Sequence, residues 1–127
     1  MTDPRYLLDS NICIYILDGA PAKVRDRLER CAPGEVVTSS IAYGEVLRGF
    51  ERRPKNDKSA AEHLFGVIAP LPFGVAEARE YARLPFKRAS FDRLIAAHAL
   101  SLGLCLVTNN ERHFQDIDGL RLENWTQ

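Results

Sequence analysis

Short apolar runs alternate along the chain with longer segments in which apolar residues recur every three or four positions. A short run is typical of a buried strand, and the longer periodicity is typical of a helix that packs by one face. The runs predict strands at residues 6–8, 36–38, 104–107 and 120–125. The periodic segments predict helices at residues 12–17, 21–31, 41–52, 57–68, 75–84 and 91–102.

Serine, glycine and proline mark the ends of several of these elements. Ser39 or Ser40 can cap the helix predicted from residue 41, Ser90 can cap the last helix, and Gly103 can end it. Between residues 70 and 73, two prolines favour extended backbone. Strands that alternate with helices predict the α/β class, with a mostly parallel central sheet and helices on both sides of it.

The composition is that of an ordinary globular protein. Hydrophobic residues make up 46% and charged residues 27% of the 127 positions, and a chain of this length is expected to form one domain over residues 1–127. The 17 Lys and Arg residues balance the 17 Asp and Glu residues. Because this balance gives no overall positive field, any nucleic-acid binding must come from local basic patches.

The three cysteines, Cys13, Cys31 and Cys105, are odd in number and far apart. This spacing argues against a disulfide framework and against a zinc site built from thiolates. The N-terminal segment lacks the apolar run of a secretory signal, and no stretch is long enough to cross a bilayer. We therefore expect free thiols in a cytoplasmic protein that does not contact membranes.

Polar residues follow three of the predicted strands at the point where each strand ends. Asp9 follows the first strand together with Ser10 and Asn11, residues 38–40 follow the second, and residues 108–110 follow a third. In a parallel sheet these strand ends share one edge, which is where open α/β folds place their ligand sites. The pattern therefore predicts a polar site at that edge.

Three acids belong to this part of the chain, and each has a plain structural interpretation beside the functional one. Asp9, at the end of a buried strand, is either a metal ligand or a helix cap. Glu45 is either part of the site or an exposed glutamate that pairs with Arg48 or Arg52. Asp92 is either part of the site or a carboxylate that complements the dipole of the helix it opens.

The residues around these acids resemble one family. The matching segments are residues 6–11, 40–46, 91–99, 106–110 and 119–125. In order and spacing they are similar to the PIN-domain ribonucleases, and specifically to the VapC toxins of bacterial toxin–antitoxin pairs, over essentially the whole chain. The resemblance implies a PIN-like three-layer α/β/α sandwich with a mostly parallel central sheet. It also implies that the three most dependable acids of the family fall on Asp9, Glu45 and Asp92.

The resemblance further implies an Mg²⁺-dependent endoribonuclease that hydrolyses RNA phosphodiester bonds, with transfer RNA and ribosomal RNA left open as substrates. It implies a cognate VapB-type antitoxin that blocks the active site, and a homodimer. Many members have a fourth acid where this chain has Asn110, so one or two metal ions are left open. Asp116 is a nearby acid that is not expected to replace it.

Carboxylates that converge in one cleft repel one another unless a cation neutralises them. Oxygen ligands favour Mg²⁺, with Mn²⁺ as a substitute, over zinc. We expect Asp9 and Asp92 to hold the metal, and Glu45 to be a further ligand or to orient the attacking water. The polar residues expected to position ligands or phosphate are Ser10, Asn11, Ser40, Thr108 and Asn110. The basic residues expected to contact RNA are Arg48, Lys87, Arg88 and Arg93.

The residues at a few single positions argue for or against other functions of the chain. A phosphatase of the haloacid dehalogenase type needs a second aspartate where Asn11 stands, and a receiver-like module needs a lysine near residues 108–110. A catalytically weakened PIN-like domain that only binds RNA or protein stays open because of Asn110. His98, flanked by alanines, is interpreted as a hydrogen-bonded core histidine rather than a metal ligand.

Overall fold

Parallel strands form the centre of the fold. The computed structural model describes residues 3–19, 21–86 and 90–127. The strands are β1 (Tyr6–Leu8), β2 (Val36–Ser39), β3 (Pro70–Leu71), β4 (Cys105–Val107) and β5 (Leu122–Glu123). The helices are α1 (Ser10–Leu17), α2 (Ala22–Glu29), α3 (Ser40–Gly49), α4 (Lys55–Val67), α5 (Val75–Ala82) and α6 (Asp92–Leu102), and a 3₁₀ helix covers Glu111–Phe114.

The strand order in the sheet is β3-β2-β1-β4-β5, and neighbouring strands are parallel throughout. Leu7 in β1 lies opposite Val37 in β2 and Leu106 in β4. All three side chains are buried, because helices cover both faces of the sheet. The predicted α/β class with a mostly parallel central sheet is confirmed.

The side chains of β1 alternate between two hydrophobic cores. Tyr6 and Leu8 belong to the core that helices α1 to α4 form on one face. Trp125 completes this core by an edge-to-face contact with Tyr6, with ring centroids 5.2 Å apart. Leu7 belongs to the opposite core, which contains Ile95 of α6. Helices, sheet and helices therefore stack as the three layers that the family resemblance implies.

Polar side chains and a glycine fix the ends of the two helices that flank the carboxyl edge of the sheet. Ser39 caps α3, since its hydroxyl accepts a hydrogen bond from the backbone N of Ile41 at 3.1 Å. The hydroxyl of Ser90 accepts one from the backbone N of Asp92 at 3.1 Å. Gly103 ends α6 with a φ of 68°, in the left-handed region that favours glycine. The predicted cap at Ser39 and the predicted end at Gly103 are confirmed, whereas the N-cap position of α6 is Phe91 and Ser90 bonds to the helix from one residue earlier.

Several elements differ in length from their predictions, and for two of them, β5 and α1, the cause is visible. β5 is shorter than predicted, because it is an edge strand that pairs only with Leu106 and Val107 of β4. Gly119, with a φ of 80°, turns the chain just before it. α1 begins at Ser10, earlier than predicted, because the Asp9 side chain caps a turn that the apolar periodicity alone does not reveal.

His98 is a core histidine, as predicted. Its side chain is 1% exposed, and its Nδ1 lies 2.8 Å from the hydroxyl oxygen of Ser39. The ring of Phe73 packs edge to face against the imidazole, with centroids 5.6 Å apart. Burial lowers the pKa of His98, and the charge of Glu77 opposes this effect.

Two further expectations concern the thiols and membranes. Cys13, Cys31 and Cys105 are free thiols, as predicted. Along the described ranges, no helix combines the length and apolar character that crossing a lipid bilayer requires.

Candidate active site

Asp9 lies at the carboxyl end of the central strand and is almost fully buried. It is 3% exposed, and its backbone N donates to the carbonyl of Val107 in β4 at 3.1 Å. Its Oδ1 accepts a hydrogen bond from the backbone N of Ile12 at 2.9 Å, so the side chain caps α1. Burial, with a smaller contribution from the charge of Asp92, raises the pKa of Asp9 to about 6, although a hydrogen bond from Thr108 opposes the rise.

Glu45 lies on α3 and is half-buried. Burial raises its pKa, and the charges of Asp92 and Asp9 raise the pKa further, while a hydrogen bond with Ser10 lowers it. In the described structure, Oε1 of Glu45 is buried and has no hydrogen-bond partner. A buried carboxylate oxygen without a partner is unfavourable, so this atom is suited to receive a cation or a water proton.

Asp92 opens α6, where the partial positive charge of the helix N-terminus favours a carboxylate. Its Oδ2 lies 3.0 Å from Nδ1 of His113, which belongs to the 3₁₀ helix after β4. His113 was not predicted as a site residue. Its position in a polar segment after Asn110 is typical of any exposed turn, so the sequence carries little signal for it.

The residues after β4 support Asp9 from one side. Thr108 is fully buried, and its hydroxyl is hydrogen-bonded to the Asp9 carboxylate. The same hydroxyl oxygen accepts a hydrogen bond from the backbone N of Asn110 at 3.0 Å. The side-chain amide of Asn110 contacts the ring of His113. Thr108 therefore lies against the acids, while Asn110 reaches them through His113.

The remaining predicted polar residues divide into two groups. Ser10 contacts Glu45, and the backbone N–H of Asn11 contacts Asp9 while the Asn11 side chain is exposed. Ser40, by contrast, accepts a hydrogen bond from the backbone N of Phe73 at 3.1 Å. The hydroxyl of Ser40 therefore fastens α3 to the segment that follows β3.

The prediction that Arg93 contacts RNA is wrong. The residue is 2% exposed, and its Nη2 donates to Oδ1 of Asp116 at 2.8 Å and to the carbonyl oxygen of His113 at 3.2 Å. The buried guanidinium joins α6 to the segment after β4 instead of lying at the rim of the cleft. Asp116 pairs with this guanidinium, which agrees with the expectation that it does not replace the fourth acid.

The other predicted RNA contacts stay predictions. Arg48 is exposed on α3, three residues after Glu45 and so on the same side of the helix. Lys87 and Arg88 lie outside the described residues.

The three acids have the ligand chemistry that a divalent cation requires, but their side chains are not arranged around a single ion. The charge of Asp92 raises the pKa of both Asp9 and Glu45, so the three carboxylates lie near one another at one edge of the sheet. Among the residues that the structure describes, no three Asp, Glu, His or Cys side chains are arranged to hold a metal ion as they stand. The unpartnered Glu45 oxygen and the raised pKa of Asp9 both mark uncompensated negative charge that a hard cation would neutralise.

Comparison with known proteins identifies the family of the chain. The sequence matches the PIN domain over residues 6–120. It is 35% identical to the tRNA(fMet)-specific endonuclease VapC of Shigella flexneri, and the match covers 96% of this chain and 98% of that protein. The chain belongs to the PIN-domain family.

Solved structures resemble this PIN domain over nearly its full length. The DNA-bound VapBC complex from Salmonella typhimurium contains a chain that matches it with a TM-score of 0.87 and 28% identity, covering 96% of this chain and 98% of that one. The VapBC2 complex from Rickettsia felis, bound to a promoter DNA fragment, gives a TM-score of 0.86 and 28% identity, covering 98% and 99%. The PIN domain therefore belongs to the VapC branch of its family, and this membership disfavours the phosphatase and receiver-like alternatives.

Proposed function

We propose that this PIN domain is a metal-dependent endoribonuclease and the toxin of a toxin–antitoxin pair. The observation that carries the proposal is the meeting of Asp9, Glu45 and Asp92 at the carboxyl edge of the parallel sheet, with Asp9 almost fully buried. Relatives of similar length that are named ribonucleases and endonucleases support it.

The proposed mechanism assigns a task to each acid. Asp9 and Asp92 would hold Mg²⁺ or Mn²⁺, and Oε1 of Glu45 would accept a hydrogen bond from the attacking water and so orient it. The chemistry that the bound ion supplies is acidification of that water and neutralisation of charge on the phosphate. Thr108 and Ser10 fix the carboxylates of Asp9 and Glu45 by their hydrogen bonds.

Substrate RNA must bind beside this acidic edge. Arg48 is exposed on the same helix as Glu45 and is proposed to contact the RNA backbone. Phe91, 56% exposed, directly precedes Asp92 and offers a surface on which an unpaired base can stack. Transfer RNA is the first substrate to test, because the name of the Shigella flexneri relative specifies a transfer RNA.

The proposed partner is a VapB-type antitoxin that blocks the acid site. The solved structures that resemble this chain include VapBC complexes, which supports such a partner. A homodimer and a cytoplasmic location are proposed with it. Light scattering of the purified chain tests for the homodimer. The same measurement with the product of an adjacent small reading frame tests for the complex with the antitoxin.

A cleavage assay tests the proposed activity. The purified protein is incubated with transfer RNA and Mg²⁺, with and without EDTA, beside Asp9→Asn and Asp92→Asn variants. Asp118→Asn is the matched control, because Asp118 is exposed in the turn before β5. We expect discrete cleavage that EDTA and both site variants abolish and that the control retains. RNA binding without cleavage would favour the weakened, RNA-binding PIN domain instead.

A further inference from the structure

His113 connects Asp92, at the N-terminus of α6, to Asn110. Its Nδ1 lies 3.0 Å from Oδ2 of Asp92. The side-chain nitrogen of Asn110 lies 3.0 Å from Nδ1 and 3.2 Å from Nε2 of the same ring. One imidazole is therefore shared between a proposed metal ligand and the residue that stands where many relatives have a fourth acid.

Donor and acceptor chemistry gives this contact a direction. A carboxylate oxygen only accepts hydrogen bonds, so Nδ1 of His113 must carry the proton that it donates to Asp92. The amide nitrogen of Asn110 also only donates, and it lies at nearly equal distances from both ring nitrogens, so it contacts the ring without a single defined acceptor. His113 therefore donates to Asp92, while Asn110 lies against the same imidazole.

The backbone of His113 is held in place from inside the protein. Its carbonyl oxygen accepts a hydrogen bond from Nη2 of Arg93, which is 2% exposed and also pairs with Asp116. Arg93 follows Asp92 directly on α6. The same helix turn thus carries the proposed ligand and the cation that fixes the histidine beside it, although the His113 side chain itself is 57% exposed.

We propose that His113 is a positioning residue that holds Oδ2 of Asp92 and leaves the other oxygen for the metal, and that Asn110 supports the His113 ring by contact. The inference rests on the proposed metal-dependent function. It assigns Asn110 to the imidazole rather than to the metal. Partners of this kind typically change metal affinity by about 10- to 100-fold when they are removed.

Metal affinity measured without RNA tests the inference. Binding of Mn²⁺ is followed by the loss of the electron paramagnetic resonance signal of the free ion, for the wild type and for the His113→Ala, His113→Asn and Asn110→Ala variants. Asparagine places an amide N–H near the position of Nδ1, so it retains the donor. We expect His113→Ala to weaken binding by about 10- to 100-fold, His113→Asn to restore most of it, and Asn110→Ala to have a smaller effect.

Controls separate this inference from the function on which it rests. His63→Ala alters an exposed histidine on α4 and is expected to bind Mn²⁺ as the wild type does. Thermal unfolding in EDTA is expected to be unchanged in His113→Ala, because the side chain is largely exposed. Equal affinities of the wild type and His113→Ala would overturn the positioning role, as would equal losses in His113→Ala and His113→Asn. A wild type that binds no Mn²⁺ would overturn the proposed metal dependence, and this inference with it.

Discussion

Oδ1 of Asp9 accepts a hydrogen bond from the backbone N of Ile12 at 2.9 Å, so the carboxylate proposed to bind metal also begins helix α1. These two roles respond differently to substitution. Asparagine keeps the capping oxygen but removes the buried charge. The substitution Asp9→Asn therefore separates the structural function of this side chain from its proposed chemical function.

Asp9→Asn is expected to stabilise the metal-free protein. Burial raises the pKa of Asp9 from 3.8 to about 6, and a raised pKa means that the ionised form destabilises the fold above that pH. We expect the free energy of unfolding at pH 7.5 in EDTA to rise by up to about 3 kcal/mol, measured by urea denaturation. Saturating Mg²⁺ is expected to stabilise the wild type but not Asp9→Asn.

The exposed Asp118→Asn variant is the control for that measurement, and its stability is expected to equal that of the wild type under both conditions. A metal-free Asp9→Asn protein that unfolds more easily than the wild type would show that the buried charge of Asp9 is already compensated without metal.

The buried imidazole of His98 is expected to make the fold sensitive to mild acid. Burial lowers its pKa below 6.5, so the unfolded chain binds a proton more readily than the folded one. The stability that the neutral ring contributes is therefore present above pH 6.5 and is lost as the pH falls below it. The charge of Glu77 moderates the effect.

Urea denaturation at pH 7.5 and pH 5.5, for the wild type and His98→Gln, measures this contribution. We expect the wild type to lose more stability between the two pH values than the variant does, whatever the absolute stability of the variant. Other titrating groups, Asp9 among them, affect both proteins alike. The same loss in both proteins would contradict the assignment.

Removing Asp116 is expected to cost more stability than removing Arg93. Asp116→Ala leaves the buried guanidinium of Arg93 without its carboxylate, whereas Arg93→Met removes the buried charge together with its need for a partner. Because Asp116 is itself partly exposed, we expect a loss of about 2 kcal/mol for Asp116→Ala and less for Arg93→Met. Thermal or urea unfolding of both single variants and the double variant checks the order, and a reversed order would contradict it.

Arg48→Ala is expected to weaken RNA binding in a salt-dependent way. An exposed arginine that contacts one phosphate contributes through the release of a counterion, so its removal lowers the salt slope of binding by about 1. Binding is measured in EDTA, which prevents the proposed cleavage. Arg79→Ala, on the exposed side of α5, is the control that is expected to bind like the wild type. Identical salt slopes for both variants would show that Arg48 does not contact the RNA backbone.

The elements and the acid site follow from local patterns in the sequence. β1 and β4 are predictable because strands buried on both faces are apolar throughout, β2 because it opens with two valines, and Asp9 stands out because it ends such a strand. Because parallel strands carry their polar ends to one edge, a polar site that contains Asp9 is also predictable in outline. The family resemblance adds Asp92 and Glu45, and an interpretation of the helix alone favours Glu45 as an exposed residue.

Contacts between segments that are far apart in the sequence could not be predicted. Arg93 looks like an exposed residue in the first turn of a helix, and only folding brings it to partners 20 and 23 residues away. His113 is concealed for the same reason, since its contact with Asp92 depends on how the segment after β4 turns back towards α6. The length of β5 depends on its pairing with β4 rather than on its own residues.

The pairing of β1 with β4 has a consequence for the nascent chain. Leu7 is aligned with Leu106, so the strand that ends at Asp9 gains its second neighbour only after β4 has been translated. Thr108, which is hydrogen-bonded to the Asp9 carboxylate, is synthesised later still. A ribosome that has not yet made β4 and Thr108 therefore carries no assembled acid site, and the hazard that the proposed toxin poses to its own translation machinery begins only after these residues have been made.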